Sequence, residues 1–263
     1  MKYCRLQTAH GPQYAEVVDR GGRLWIERLI PPFEEGPASD FVDRATPFEP
    51  VPFDEARILA PVAPSKIVCV GRNYREHAAE LGNEVPAEPL LFFKPPSALL
   101  APGEPIRIPV LSKRVDFEGE IAIVIADRCR NIGEDEDPRD YIRGYTIAND
   151  VTARDLQKKD GQWARAKGFD TFCPVGPLVT DEIEPAAGIR ITTQLNGELR
   201  QGGNTCDFIF SIDHLLRYIT AAMTLLPGDL ILTGTPAGVA PMQPGDQVAV
   251  SVEGMGTLTN PVI

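Results

Sequence analysis

Histidine is scarce in this chain of 263 residues: His10, His77 and His214 are too few and too far apart for a multi-histidine metal site. Any metal must therefore be held by oxygen. The five cysteines (Cys4, Cys69, Cys129, Cys173, Cys206) are odd in number and never spaced as CxxC. That excludes a zinc knuckle or a disulfide framework and fits reduced thiols in a cytosol. Basic charge is also short, with 26 Lys and Arg against 37 Asp and Glu and a net charge of −11. The densest basic pair, Lys158-Lys159, is closed off by Asp160. A nucleic-acid partner is excluded on that account, because phosphate binding needs clustered Lys and Arg. No apolar run approaches the ~18 residues of a membrane span. Lys-Tyr-Cys-Arg-Leu-Gln after Met1 does not read as a signal peptide, so a cytoplasmic protein with no membrane partner is expected. GxxxxGK[ST], GxGxxG, GxSxG and HExxH are missing too, and with them the usual markers of nucleotide hydrolysis, dinucleotide redox, serine esterase and zincin chemistry.

What is present is ordinary for a packed globular protein, 43% hydrophobic and 24% charged. Residues 1–60 read as a small N-terminal β-rich domain and linker. Ala15-Glu-Val-Val and Arg23 to Ile30 flank an Asp-Arg-Gly-Gly turn, which predicts a hairpin. The passage Pro31 to Pro37 and the prolines up to Pro64 suit a linker or an irregular wrap. Residues 61–263 read as a second, larger domain. Strands are predicted at Lys66–Gly71, Leu90–Phe93, Val115–Ile125, Tyr145–Asn149 and Leu230–Leu232, with a hairpin at Leu195-Asn-Gly-Glu-Leu. A capping-box pattern at Asn73 to Glu76 opens a short helix through Leu81, stopped by Gly82-Asn83. Helical stretches follow at Thr152–Lys159 and, capped by Ser211, at Ile212–Leu225. The expected fold class is mixed and predominantly β with few helices.

Asp116-Phe-Glu118-Gly-Glu120 leads straight into the apolar run Ile121–Ile125. Residues i and i+2 of a strand share a face, so Glu118 and Glu120 would project together. Such a pair is costly without a cation or proton between them, although on an edge strand it would simply face water. Asp150, where a strand meets a helix, supplies a third oxygen donor; alone it would serve as a helix cap. The three together favour a hard divalent cation: Mg²⁺, Mn²⁺ or Ca²⁺. The acidic loop Glu134 to Asp140 lacks EF-hand spacing and reads as solvated. On a helix His77 and Glu80 are neighbours, and a carboxylate-oriented histidine is the usual general base near neutral pH. The same pair could be an exposed helical contact, yet His77 is the best acid–base candidate by elimination. Arg72, Arg154 and Lys167 would offset the site's negative charge for an anionic substrate. Thr233-Gly-Thr235-Pro-Ala-Gly238 offers small residues and hydroxyls beside an anion, or a plain tight turn.

Gly71-Arg-Asn-Tyr with His77 and Glu80, Phe117-Glu-Gly-Glu120, Asn149 to Gln157, Ala166-Lys-Gly-Phe-Asp170 and Leu232 to Val239 occur in this order. In that, the chain from about Pro64 onward resembles the fumarylacetoacetate hydrolase family. The N-terminal unit resembles that of bacterial 2-hydroxyhepta-2,4-diene-1,7-dioate isomerase-like members. The resemblance implies a β-sandwich roll, a homodimer and Mg²⁺ held by Glu118, Glu120 and Asp150. It implies Lys167 beside the substrate, the His77–Glu80 dyad on a lid, and Arg72, Arg154, Gln157 and Thr235 nearby. The implied reaction is isomerisation or decarboxylation of a small 2-oxo or enol diacid in aromatic catabolism. Alternatives are C–C hydrolysis of acylpyruvates such as fumarylpyruvate or fumarylacetoacetate, and a non-catalytic metal-dependent module that binds 2-oxo acids.

Overall fold

The computed structural model describes residues 1–32, 46–80, 82 and 84–263. Most of the Pro- and Glu-rich passage, Leu81 and Asn83 lie outside the described residues. The fold is mixed and predominantly β, as the sequence predicts, and is built on a 12-stranded sheet. Its main path runs Thr46–Pro52, Arg23–Ile30, Gly11–Arg20, Lys2–Thr8, Cys173–Thr180, Ile142–Asn149, Gly119–Ile125, Leu230–Leu232, Ile67–Gly71, Leu90–Lys94. Neighbours are antiparallel except Leu230–Leu232 against Ile67–Gly71. A second, four-stranded sheet orders Glu198–Asn204, Arg190–Leu195, Gln247–Val252 and Gly256–Pro261. Four helices are described: α1 (Arg75–Glu80), α2 (Arg154–Asp160), α3 (Ala164–Lys167) and α4 (Ile212–Ala222). None is long and apolar enough to cross a membrane.

The central strand Gly119–Ile125 is buried along its whole length. Its period of two feeds two cores. Ile121, Ile123 and Ile125 meet Ile191, Val250 and Leu258 of the second sheet and Leu215 and Ile219 of α4. Ala122 and Val124 meet Ala148, Val175, Leu230 and Leu232 on the opposite face. Each isoleucine taken out of water contributes about 1.5–3 kcal/mol, which pins this strand and everything attached to its ends. The N-terminal strands carry a small core of their own (Cys4, Leu6, Ala15, Val17, Ile26). Lys2 and Tyr3 nevertheless pair with Thr180 and Val179, so the sheet runs on through them.

Both hairpins form where expected. Arg20 pairs with Arg23 across Gly21-Gly22. Leu195 pairs with Glu198 across Asn196 (φ 55°) and Gly197 (φ 81°), the two left-handed residues of a type I′ turn. Four expectations need correction. Thr46–Pro52 is a strand despite its prolines, because it lies at the sheet edge, where one row of backbone N–H groups has no partner to serve. The segment Val115–Ile125 is two strands: Val115–Asp116 pairs with Thr152–Ala153, and the main strand starts at Gly119. For the same reason α2 begins at Arg154 rather than Thr152. Helix α4 is capped by Ser211 as predicted but ends at Ala222, where Met223 turns extended.

Candidate metal and acid–base site

The central strand brings the acidic residues together by cross-strand pairing. Gly119 lies opposite Asn149, and the Asp150 N–H donates to the Glu118 carbonyl at 2.8 Å. The Asn149 Oδ1 accepts from the Glu118 N–H at 2.9 Å, closing the joint from the other side. Glu118 thus precedes the strand, and its meeting with Glu120 owes more to this joint than to simple i, i+2 alternation. The position between them must be glycine: a Cβ on Gly119 would sit 2.2 Å from Thr193 Oγ1 and 2.9 Å from Val250 Cγ1. Glu118, Glu120 and Asp150 are all buried, each with a carboxylate oxygen within 4.8 Å of the others'.

Three cations, Lys167, Lys94 and Arg154, contact Glu118 or Asp150, and a fourth, Arg114, contacts the neighbouring Asp116. Lys167 Nζ donates to Glu118 Oε2 at 2.8 Å and also to Asp150 Oδ2. Lys94 Nζ donates to Asp150 Oδ1 at 2.6 Å and to the Val151 carbonyl at 3.1 Å. Arg154 donates through Nε to Asp116 Oδ2 at 2.9 Å, through Nη2 to Glu118, and through Nη1 to Gln157 Oε1 at 2.9 Å. Arg114 grips Asp116 with two bonds, of 2.9 and 3.1 Å.

Protonation follows this layout. Burial, then the Asp150 and Glu118 carboxylates, pushes the Glu120 carboxyl well above the usual carboxylate range. Its hydrogen bond from the Gly234 N–H, 2.7 Å, only partly offsets that. Burial acts on Glu118 the same way, but Arg154 and Lys167 outweigh it and hold that carboxyl well below the usual range. Lys167 is lowered by burial and raised more by Asp150 and Glu118, so it stays charged. Two glutamates two residues apart are therefore driven in opposite directions, and Glu120 is the one that needs a further positive charge.

His77, on α1, is 4% exposed. Burial lowers its pKa against the pull of Glu118, leaving the imidazole neutral near neutral pH. Its Nδ1 lies 3.5 Å from Glu80 Oε2, an ion-pair distance, and makes no hydrogen bond among the described residues. Glu80 is anchored separately: both carboxylate oxygens accept from the Gly238 N–H at 3.1 Å. Asn73 does not cap α1 as its pattern predicts. Its Nδ2 donates to the Thr233 carbonyl at 2.8 Å and the Phe210 carbonyl at 3.2 Å, and its Oδ1 accepts from the Phe210 N–H at 2.8 Å.

A cavity of about 460 Å³ opens onto this cluster. Glu118, Glu120, Asp150, His77, Lys167, Arg72, Arg154, Gln157 and Thr235 all line it; Glu80 stands behind His77. The Thr235 hydroxyl is already engaged, donating to the Gly119 carbonyl and accepting from Gln201 Nε2, both at 2.8 Å. Arg72 has φ 58°, a left-handed conformation that costs a residue with a Cβ and recurs at functional sites. Sequence reasoning missed Phe92 and Trp163, which meet edge to face at 5.1 Å on the cavity wall. It also missed Lys94, Asp116 and Gln201. A lysine ending a strand before two prolines reads as solvent-facing, and only the register of distant strands shows otherwise. His214 lies outside the cavity lining, on the exposed side of α4, with its ring stacked between Phe210 and Tyr218.

The arrangement is a buried cluster of three carboxylates beside a neutral histidine, with a cavity opening onto both. The fumarylacetoacetate hydrolase C-terminal family model matches residues 66–263, and the chain belongs to that family. Its members are enzymes, among them isomerases, decarboxylases and hydrolases, and typically bind a divalent metal. The crystal structure of a 2-hydroxyhepta-2,4-diene-1,7-dioate isomerase from Mycobacterium marinum is 42% identical with a TM-score of 0.85, covering 100% of this chain and 98% of that one. A mitochondrial oxaloacetate decarboxylase of Dictyostelium discoideum is 45% identical over 73% of this chain and 90% of its own. A mitochondrial oxaloacetate tautomerase, fahd2, of Xenopus laevis is 44% identical over 78% of this chain and 68% of its own.

Proposed function

We propose that the protein is a Mg²⁺-dependent enzyme that isomerises or decarboxylates small 2-oxo or enol diacids, with a 2-hydroxyhepta-2,4-diene-1,7-dioate-like substrate in aromatic catabolism. The observation that carries this reading is the convergence of Glu118, Glu120 and Asp150 within 4.8 Å in the interior, where Glu120 lacks a counter-charge. An oxygen-only donor set of this kind suits a hard cation. The three carboxylates would hold the ion, which supplies a Lewis acid for charge developing on a 2-oxo oxygen.

The residues around it do the rest. With Asp116, Glu118, Glu120 and Asp150 ionised, four negative charges face four positive ones on Lys94, Arg114, Arg154 and Lys167. A divalent ion leaves this cluster two positive charges in excess, which a dianion neutralises. Arg72 and Lys158 on the cavity wall favour the same substrate class. Nδ1 of His77 lies 3.5 Å from Glu80, a carboxylate that would favour the ring proton on that nitrogen and leave Nε2 as the base. Nε2 then takes the proton of the substrate's 2-hydroxyl and returns it to a chain carbon as the enol becomes a 2-oxo acid, which is isomerisation. In decarboxylation it delivers the proton to the carbon that has lost CO₂. The names isomerase, decarboxylase and tautomerase among the relatives support this reading.

A panel of 2-hydroxyhepta-2,4-diene-1,7-dioate, oxaloacetate, acetylpyruvate and fumarylpyruvate with Mg²⁺, Mn²⁺ or Ca²⁺, products resolved by NMR, tests the reading. Relocated protons or lost CO₂ on the diacids are expected. Cleavage of the acylpyruvates with the diacids untouched would make the protein a hydrolase instead, and binding without turnover would make it a recognition module.

A further inference from the structure

We propose that Lys94, which the cavity does not reach, is a positioning residue that fixes Asp150 for cation binding. The inference rests on the reading of Glu118, Glu120 and Asp150 as ligands. Lys94 ends the strand Leu90–Lys94, and Pro95 and Pro96 turn the chain away immediately after it. Its side chain is 0% exposed, an unusual place for an ammonium unless it is paired. Both of its hydrogen bonds go to one short segment, Asp150 Oδ1 at 2.6 Å and the Val151 carbonyl at 3.1 Å.

The two lysines on Asp150 therefore differ in kind. Lys167 lines the cavity and takes Oδ2. Lys94, outside that lining, takes Oδ1. An ion entering through the cavity competes with Lys167 for Oδ2 and leaves the Lys94 bond in place. Lys167 has other contacts to keep it in the site, Glu118 Oε2 at 2.8 Å and the Phe92 ring at 4.8 Å. Lys94 thus does two things: it keeps Asp150 charge-compensated while Lys167 turns to the substrate, and it sets the carboxylate's rotation. Groups that orient a metal's ligands in this way typically change affinity or activity by about 10- to 100-fold when removed.

The test is Lys94→Met, which keeps the length and apolar stem but loses the ammonium, with Lys94→Gln carrying the same test should the methionine variant fail to fold. Mg²⁺ binding by calorimetry is expected to weaken about 10- to 100-fold, while kcat at saturating Mg²⁺ recovers to within a few-fold of the parent. That split separates positioning from a merely structural role, which would lower the unfolding midpoint and leave the ion affinity of the folded protein unchanged. Unchanged Mg²⁺ affinity in the folded variant, alongside weakened binding in Glu118→Gln, overturns the role of Lys94 and leaves the ligand assignment standing. A parent protein that binds none of Mg²⁺, Mn²⁺ or Ca²⁺ overturns both.

Discussion

The N-terminal strands and the interior around Asp150 use the same kinds of charged pairs in opposite surroundings. Arg23 bonds to Asp54 at 2.8 Å and Glu55 at 2.9 Å, with all three side chains about half exposed or more. Lys94 and Asp150 bond at a similar distance with side chains 0% and 1% exposed. Water and salt screen the first pair, and ordering its long side chains offsets most of what is left. In the interior the same charges cannot be left alone, because an unpaired buried charge costs far more than a pair returns. Surface pairs decorate this fold, whereas buried ones decide where the carboxylates point.

The comparison breaks most severely at the ligands. Asp150→Asn or Glu118→Gln should remove Mg²⁺ binding and take turnover below detection; calorimetry with parental affinity in both would refute the assignment. Next comes His77→Ala, for which kcat should fall about 10²- to 10⁴-fold with Mg²⁺ affinity retained, and full activity would remove the base. The parent's kcat/KM should fall with acid only below the ordinary histidine value of about 6.5, because burial depresses His77 and the base works unprotonated. The sign for stability agrees: the unfolded chain takes up that proton more readily, so acid through this range favours unfolding. Gly119→Ala should destabilise the fold by about 1–3 kcal/mol in denaturant titration, since the new Cβ meets Thr193 and Val250. Arg23→Ala, the surface end of the comparison, should leave the unfolding midpoint unmoved.

How far the sequence could be read follows from the range of each interaction. Local signals told truly: the Asn196-Gly197 turn, the Ser211 cap and the strand before Gly71 depend on neighbours within a few residues. Glu118, Glu120 and Asp150 were legible as a group because buried acids beside apolar runs demand compensation. Asn73 misled, since its amide serves Phe210 and Thr233, more than a hundred residues away, rather than its own helix. Lys94, Gln201 and the break at Phe117–Glu118 depend on which strands become neighbours, information that no local window holds.

The short helix that carries His77 has one consequence of its own. At six residues, α1 is too short to hold itself in place. It is moored at one end by Asn73 to the Phe210 and Thr233 segments and at the other by Glu80 to Gly238. The first of these moorings reaches the acidic cluster, because the Thr233–Gly234 peptide that accepts from Asn73 through its carbonyl donates through its N–H to Glu120; the Glu80 mooring does not. A change at Gly238 would therefore shift one end of α1 without disturbing a bond to the carboxylates, whereas a change at Asn73 or Thr233 would be felt at Glu120 as well, so the two ends of one short helix differ in how much of the cavity they carry with them.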